Sequence, residues 1–359
     1  MKFKFFTAGP VSVSADMTDL RYVPVGHREP EFSRLFNAVT RKLLLAFGGD
    51  ENHMVLLVSG SGTAALECVL GSVVGDQKIL VVRNGAFGDR LFDICRFHGL
   101  NVGSLDFGWR VSVDCQTVAE RVADVQPRLL AMVHHETSTG ALNPIHVVGE
   151  ICHKYNVSFI VDAMSSFCGA PLSVVGDHID FAVSNTNKCL GGLPVLSFIC
   201  VNRHVVEKMR GVTPKSYYLN LFKHFDYALE GQTPNTPQIP LVYMLDKALD
   251  ELFVEGLQNR FRRFKENALL LRKTLRANGF NFFLGDSQMG PIVTNVLIPP
   301  NVSYDQVHLE MKRRGYIIYP GKAQLRGKVF NVGHIGTLTR QDILDFCSDL
   351  AQAVFGYCG

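Results

Sequence analysis

Met54-Val55-Leu56-Leu57-Val58-Ser59-Gly60-Ser61-Gly62-Thr63-Ala64-Ala65 is an apolar run that passes through two glycines straight into residues of helical spacing. A strand that turns tightly into a helix is the first half of a strand-helix-strand unit, and the alternation repeats downstream. Lys78–Val82, Asn101–Leu105, Leu129–Val133, Val157–Val161, Ile179–Val183 and Val195–Val201 read as six further strands. Thr63–Val74, Phe87–His98, Asp114–Ala123 and Ile145–Tyr155 read as helices between them. This order predicts an α/β fold: a large doubly wound, mostly parallel, seven-stranded sheet with helices on both faces. After residue 202 the pattern turns helical. Beyond the Gly290-Pro291 break, Val293–Ile298, Tyr304–Arg314, Tyr316–Tyr319, Val329–Val332 and Gln341–Phe355 read as strand, helix, strand, strand, helix. The expectation is a large α/β domain over residues 1–260 and a smaller C-terminal α+β domain over 261–359, with the N-terminal segment placed to pack on the latter.

The helical stretch Leu257–Asn278 carries Phe261, Phe264, Ala268, Leu271 and Leu275 on one stripe, with Arg260, Arg263, Arg272, Lys273 and Arg276 largely elsewhere. Those basic residues read as a solvated face, with an anion site as the alternative. Composition narrows the function classes. With 36 basic against 33 acidic residues, the chain lacks the strong positive field of a nucleic-acid binder. Met1-Lys2-Phe3-Lys4-Phe5-Phe6 meets Thr7-Ala8-Gly9-Pro10 before a signal-peptide core can form, and no run approaches a membrane span. Nine cysteines, the closest pairs (Cys189 with Cys200, Cys347 with Cys358) eleven apart, offer neither a disulfide framework nor a CxxC site, so a reducing cytoplasm is expected.

In an open parallel sheet, ligands sit beyond the carboxyl ends of the strands. After the first strand, Ser59–Ala65 offers glycines for close backbone approach, the N–H groups of a helix N-terminus and hydroxyl side chains, which suits a phosphate. The same residues fit G-x-G-x-x-A, but a dinucleotide site needs an acidic residue at the end of the next strand, which here runs into Arg83-Asn84-Gly85. After Leu129–Val133 comes His134-His135-Glu136-Thr137-Ser138-Thr139-Gly140. Consecutive residues of a strand face opposite ways, so no metal is expected there; a hydroxyl-rich ligand loop and simple buried histidines both remain open. Asp162 ends the fifth strand, where it either serves a ligand or caps the next turn. Lys188 follows the sixth, in the glycine-flanked loop Ser184–Gly192.

A phosphate cup, a strand-end carboxylate and a lysine on one sheet edge are what pyridoxal 5'-phosphate requires. Its aldehyde takes a lysine as a Schiff base, its ring nitrogen takes a carboxylate, and its phosphate takes N–H and hydroxyl donors. Phe87, after the second strand, can stack on the ring or simply pack in the core.

With those residues in view, the chain resembles the class V, fold-type I aminotransferases, and among them the 2-aminoethylphosphonate:pyruvate transaminases. The resemblance runs from Thr7-Ala8-Gly9-Pro10 to Gly333-His334-Ile335-Gly336, through Gly26–Phe32, Ser59–Glu67, His134–Gly140, Asn143-Pro144-Ile145, Val161–Ser166, Asn187-Lys188-Cys189 and Ile318-Tyr319-Pro320-Gly321-Lys322. It implies a homodimer in which Lys188 carries the cofactor and shuttles a proton, Asp162 meets the ring nitrogen and Phe87 stacks. Ser61, Gly62 and Thr63 would hold the phosphate, Asn187 would add a contact, and Thr137 would lie near the ring hydroxyl. Thr236 and Thr233 would reach in from the partner. The implied reaction moves an amino group from 2-aminoethylphosphonate to pyruvate or another oxo acid, giving phosphonoacetaldehyde. An alanine:glyoxylate or serine:pyruvate type, or a biosynthetic enzyme on an altered phosphonate, is the alternative. One departure bears on the substrate: where the family has a carboxylate-gripping arginine, Val329-Phe330-Asn331-Val332-Gly333 has asparagine. An amide replaces a charged bidentate fork, so carboxylate binding is expected to weaken or to pass to Arg28 or Arg326.

Overall fold

The structure, a computed structural model, describes residues 3–19 and 22–356; Met1, Lys2 and Cys358 lie outside the described residues. Seven strands form the central sheet: β1 His53–Ser59, β2 Ile79–Arg83, β3 Val102–Asp106, β4 Leu129–Val133, β5 Ser158–Asp162, β6 Phe181–Asn185 and β7 Leu196–Asn202. Their spatial order is β1-β7-β6-β5-β4-β2-β3. Only β7 runs antiparallel, to both β1 and β6; the remaining neighbours are parallel. Six strands therefore share one carboxyl edge, and the expected α/β architecture is present with strand ends displaced by a residue or two. The central strands β4 and β5 are buried from end to end, which is why they read as unbroken apolar runs.

A second, smaller sheet holds Val293–Leu297, Val329–Gly333 and Tyr319–Pro320 in that order, all antiparallel. The run Tyr316–Tyr319 divides: Tyr316–Ile317 pairs in parallel with Lys4–Phe5, while Tyr319–Pro320 joins the small sheet at its edge. Proline has no N–H to give to a second neighbour, so an edge is where that residue fits. The small sheet has its own core, in which Phe6 stacks on Phe346 with ring centroids 3.9 Å apart. The helix Leu257–Ala277 crosses from one core to the other, with Leu257 against the first and Leu271 and Leu275 inside the second.

That helix corrects the reading of its basic residues as a solvated face at Arg260 and Arg272, while Lys273 and Arg276 are exposed as expected. Arg260 and Arg272 are each only 6% exposed. Arg260 and Arg263 share Glu255, and Arg276 pairs with Asp286. Arg272 donates to Thr294 Oγ1 at 2.9 Å and to the Gly290 carbonyl. Where the helix passes between the two cores, long basic side chains lie along apolar surface while their heads find acceptors.

Candidate active site

The loops after β1, β2, β4, β5 and β6 meet at the shared carboxyl edge. Asp162 closes β5 beside Val183 of β6, so its carboxylate and the Lys188 loop come from neighbouring strands. Asp162 is 2% exposed, and its Oδ1 accepts from the Met164 N–H at 2.9 Å, so it does cap the following turn. Its Oδ2 accepts from Arg90 Nη2 at 2.7 Å. Lys188 is half-buried beneath the N-terminal turn at Ala8-Gly9. Gly9 has φ +127°, and a Cβ there would stand 2.5 Å from Lys188 Cδ, so the close approach itself requires glycine. Burial, and then the Lys322 ammonium nearby, push the Lys188 amine down to about 8.

The loop after β1 opens the helix Gly62–Val73. Ser61 is extended and places no side-chain cap on it, which leaves the first N–H groups directed at the loop. The Met164 thioether packs directly on Gly62, bringing this loop against the turn that follows Asp162. Arg90 ties the parts together: besides Asp162, its Nη1 donates to Thr63 Oγ1 at 3.4 Å, and its guanidinium lies 4.8 Å from the Phe87 ring centroid. The Lys322 ammonium lies 4.3 Å from the same centroid.

Phe87 is held from behind by Glu136. This fully buried carboxylate accepts from the N–H groups of Phe87 and Gly88 at 3.0 Å each, and from the Ser138 N–H at 3.1 Å. Burial raises its pKa while these donors oppose the shift, and the helix N-terminus it faces favours a negative charge. His134 and His135 are buried and pushed down to about 3, so they stand neutral. Among the described residues no group of three His, Cys, Asp or Glu could hold a metal ion.

A cavity of about 640 Å³ joins the two sheets and is lined by Lys188, Phe87, Thr137, Arg326 and Asn331, together with Lys322, Tyr319 and the Ala8-Gly9 turn. Asp162 and Thr63 are joined to Phe87 through Arg90. Asn187 lies beside Lys188, its carbonyl 3.0 Å from where a Gly9 Cβ would be. Eight expected residues do not line the cavity: Ser61, Gly62, Thr63, Asp162 and Asn187, and also Arg28, Thr233 and Thr236. Arg28 is exposed and donates to Gln232 Oε1 at 3.3 Å and the Thr233 carbonyl at 3.1 Å. Thr233 is buried within its own loop, donating to the Asn235 carbonyl at 2.8 Å, and Thr236 is exposed. Asn331, 8% exposed, donates through Nδ2 to Asn295 Oδ1 and to the Thr137 carbonyl at 3.5 Å, and Asn295 Nδ2 donates to the Ser138 carbonyl at 2.9 Å.

Arg90, Lys322, Asn295 and the anchoring role of Glu136 were not evident from sequence. Arg90 follows Phe87 by three residues, the spacing that shares a helix face, and Lys322 ends the Tyr-Pro-Gly-Lys stretch. Asn295 leaves only the signal of one polar residue inside a β-branched strand.

Residues 22–323 match the family model described as aminotransferase class-V. The chain is 33% identical over 353 residues to a 2-aminoethylphosphonate–pyruvate transaminase of Lysinibacillus sphaericus, covering 96% of this chain and 95% of that one. It is 31% identical over 362 residues to the protein of the same name from Salmonella typhimurium, covering 98% of each. Among solved structures, ureidoglycine-glyoxylate aminotransferase from Bacillus subtilis superposes with a TM-score of 0.93 at 28% identity, covering all of this chain and 94% of that one. Alanine–glyoxylate aminotransferase from Nostoc sp. gives the same score and identity over 98% and 95% of the two chains.

Proposed function

This chain belongs to the class V aminotransferases, pyridoxal-phosphate enzymes, and from that premise we propose that it transfers the amino group of 2-aminoethylphosphonate to pyruvate or another oxo acid, leaving phosphonoacetaldehyde. The observation that carries the reading is the convergence of Lys188, Asp162, Phe87 and the Ser61–Thr63 turn on one sheet edge.

These residues fit the cofactor. An uncapped helix N-terminus suits a phosphate, a buried carboxylate suits a ring nitrogen, and an amine brought down to about 8 attacks a carbonyl far more readily than an ordinary lysine. When bound, pyridoxal phosphate supplies a carbonyl that accepts the amino group and a ring that takes up electrons. In this assignment Ser61, Gly62 and Thr63 hold the phosphate, Phe87 supports the ring, Asp162 keeps the ring nitrogen protonated, and Thr137 and Asn187 orient the polar edge. Lys188 Nζ carries the cofactor at rest and, once displaced by the donor amine, moves a proton from the donor carbon. Across the cycle the donor's C–N bond is exchanged for C=O with oxygen from water, and the oxo acid's carbonyl becomes the new amine.

The exposed Thr236 and its loop neighbour Thr233 belong to the wall of a second copy's site, which makes a homodimer part of this reading. So is a cytoplasmic setting: the eight described cysteines are unpaired and seven are buried. Mixing the yellow holoenzyme with 2-aminoethylphosphonate should convert its absorbance to that of the amine form, and pyruvate should restore it. Conversion by alanine or serine, with none by 2-aminoethylphosphonate, would instead establish the amino-acid transaminase reading that the 28% identical glyoxylate enzymes favour.

A further inference from the structure

Asn331 lines the cavity, but its amide nitrogen is already committed within the protein and is not available to grip an anion. An asparagine amide has two N–H donors, and Asn331 directs its nitrogen at Asn295 Oδ1 and the Thr137 carbonyl, while Asn295 in turn donates to the Ser138 carbonyl. With Asn331 and Asn295 opposite one another on adjacent strands, the pair forms an amide ladder joining the small sheet to the Thr137-Ser138 loop of the large one. What Asn331 has left to offer is a carbonyl oxygen, which repels an anion.

Positive charge in the cavity comes instead from the short segment between the edge strand Tyr319–Pro320 and Val329–Gly333. Lys322 and Arg326 flank its single helical turn, Ala323–Leu325, and both line the cavity with Lys188. Among the described residues neither has an ion-pair partner, unlike Arg90, which is committed to Asp162. Arg28, the other cation expected to compensate, is held by Gln232 and Thr233 outside the cavity wall. Two cations on one turn, with no carboxylate between them, suit a ligand of charge minus two better than one of charge minus one.

We propose that Lys322 and Arg326 together bind the anionic end of the substrate, that they favour a dianionic phosphonate over a carboxylate, and that Asn331 has been withdrawn from substrate binding into the clamp between the two sheets. This rests on the transaminase reading above, and it assigns the substrate class to residues of one turn.

Ethylphosphonate and propionate, unreactive because they lack the amine, separate recognition from chemistry. Their binding to holoenzyme is followed calorimetrically above the phosphonate's second ionisation. Ethylphosphonate should bind about tenfold or more tightly than propionate, and Lys322→Ala and Arg326→Ala should each weaken it about tenfold while changing propionate less. Asn331→Ala should lower Tm yet cost less ethylphosphonate affinity than either cation variant. Equal affinity for the two probes would overturn the proposal. So would a larger loss in Asn331→Ala than in the cation variants, or a Lys322→Ala defect confined to retention of pyridoxal phosphate. Should 2-aminoethylphosphonate fail to react in the wild type while the probe pattern holds, the donor assignment falls and the anion assignment stands.

Discussion

Two regions face each other across the cavity, and they hold their polar groups in different ways. At the carboxyl edge of the large sheet, Asp162 and Lys188 extend from strands flanked on both sides, Arg90 bridges carboxylate, hydroxyl and ring, and Glu136 fixes the helix bearing Phe87 through two of its backbone N–H groups while the Ser138 N–H holds the same carboxylate. On the small sheet, Lys322 and Arg326 stand on an exposed turn beyond an edge strand, and Asn331 is tied into an amide ladder. The first arrangement leaves each group one position, as chemistry at a single atom demands. The second leaves two charges without ion-pair partners among the described residues, which is enough to recognise an anion and easily retuned. Substitutions on the two sides should therefore differ in kind: those on the large sheet should remove turnover, and those on the turn should shift affinity.

The sharpest break is Lys188→Ala. Removing both the amine that carries the cofactor and the group that moves the proton should lower turnover by about 10⁴-fold or more, since acid-base catalysis alone accounts for about 10²–10⁴. The fold should remain intact by circular dichroism. In the wild type, borohydride reduction followed by peptide mapping should find the cofactor on Lys188; its appearance on another lysine would defeat the assignment. Asp162→Ala comes next, with an expected loss of about 10²–10³ in turnover because a preorganised charge facing the reacting ring is removed. Retention of the cofactor should change far less, because the Ser61–Thr63 turn is untouched. Near-normal turnover in this variant would contradict the role.

Arg90 is a milder case on the same side. Arg90→Ala removes one charge-assisted bond to Asp162 and one contact with Thr63, and should weaken cofactor binding by about tenfold. Arg90→Lys should restore only part of that, since an ammonium cannot reach the carboxylate, the hydroxyl and the ring together. Full recovery by lysine, measured as the dissociation constant for pyridoxal phosphate, would show that charge alone matters and not the bridging geometry.

The same contrast explains what was legible in the sequence. The strands, the glycine turn and the strand-end Asp162 and Lys188 could be read because burial on both faces writes apolar runs, and a polar residue at the end of such a run stands out. Arg90 and Lys322 had local signals, helix spacing in one case and a motif end in the other, but a lone basic residue looks like any solvated one until its partners are located. The ladder through Asn331 and Asn295 was out of reach, because it depends on the register of Val293–Leu297 against Val329–Gly333 and on how the small sheet docks against the Thr137 loop. For the same reason Arg260 and Arg272 read as surface residues although two cores enclose them. Docking between cores is non-local, and no periodicity within one element records it.

The smallest expected effect links the two sides directly. Burial is the larger cause of the low Lys188 pKa and the Lys322 ammonium the next, so in the cofactor-free protein the amine titrates near 8 rather than at its ordinary 10.5. Below about pH 8 the amine is protonated both folded and unfolded, and the folded state bears the full cost of its buried charge. Between about 8 and 10.5 the unfolded chain holds a proton that the folded one has released, so this lysine's contribution to stability rises with pH and levels off above 10.5. The difference in unfolding free energy between the cofactor-free wild type and Lys188→Met, measured across that window, should climb in favour of the wild type. Replacing Lys322 by Gln removes one positive neighbour, so the Lys188 pKa should rise and the pH profile for recombination with pyridoxal phosphate should move to higher pH. The move should be the minor part of the total displacement, because burial is unchanged. A profile that stays in place or moves to lower pH would show that the Lys322 turn does not act on the amine of the large sheet, and a difference curve that falls across the window would show that the amine is not held below its ordinary pKa.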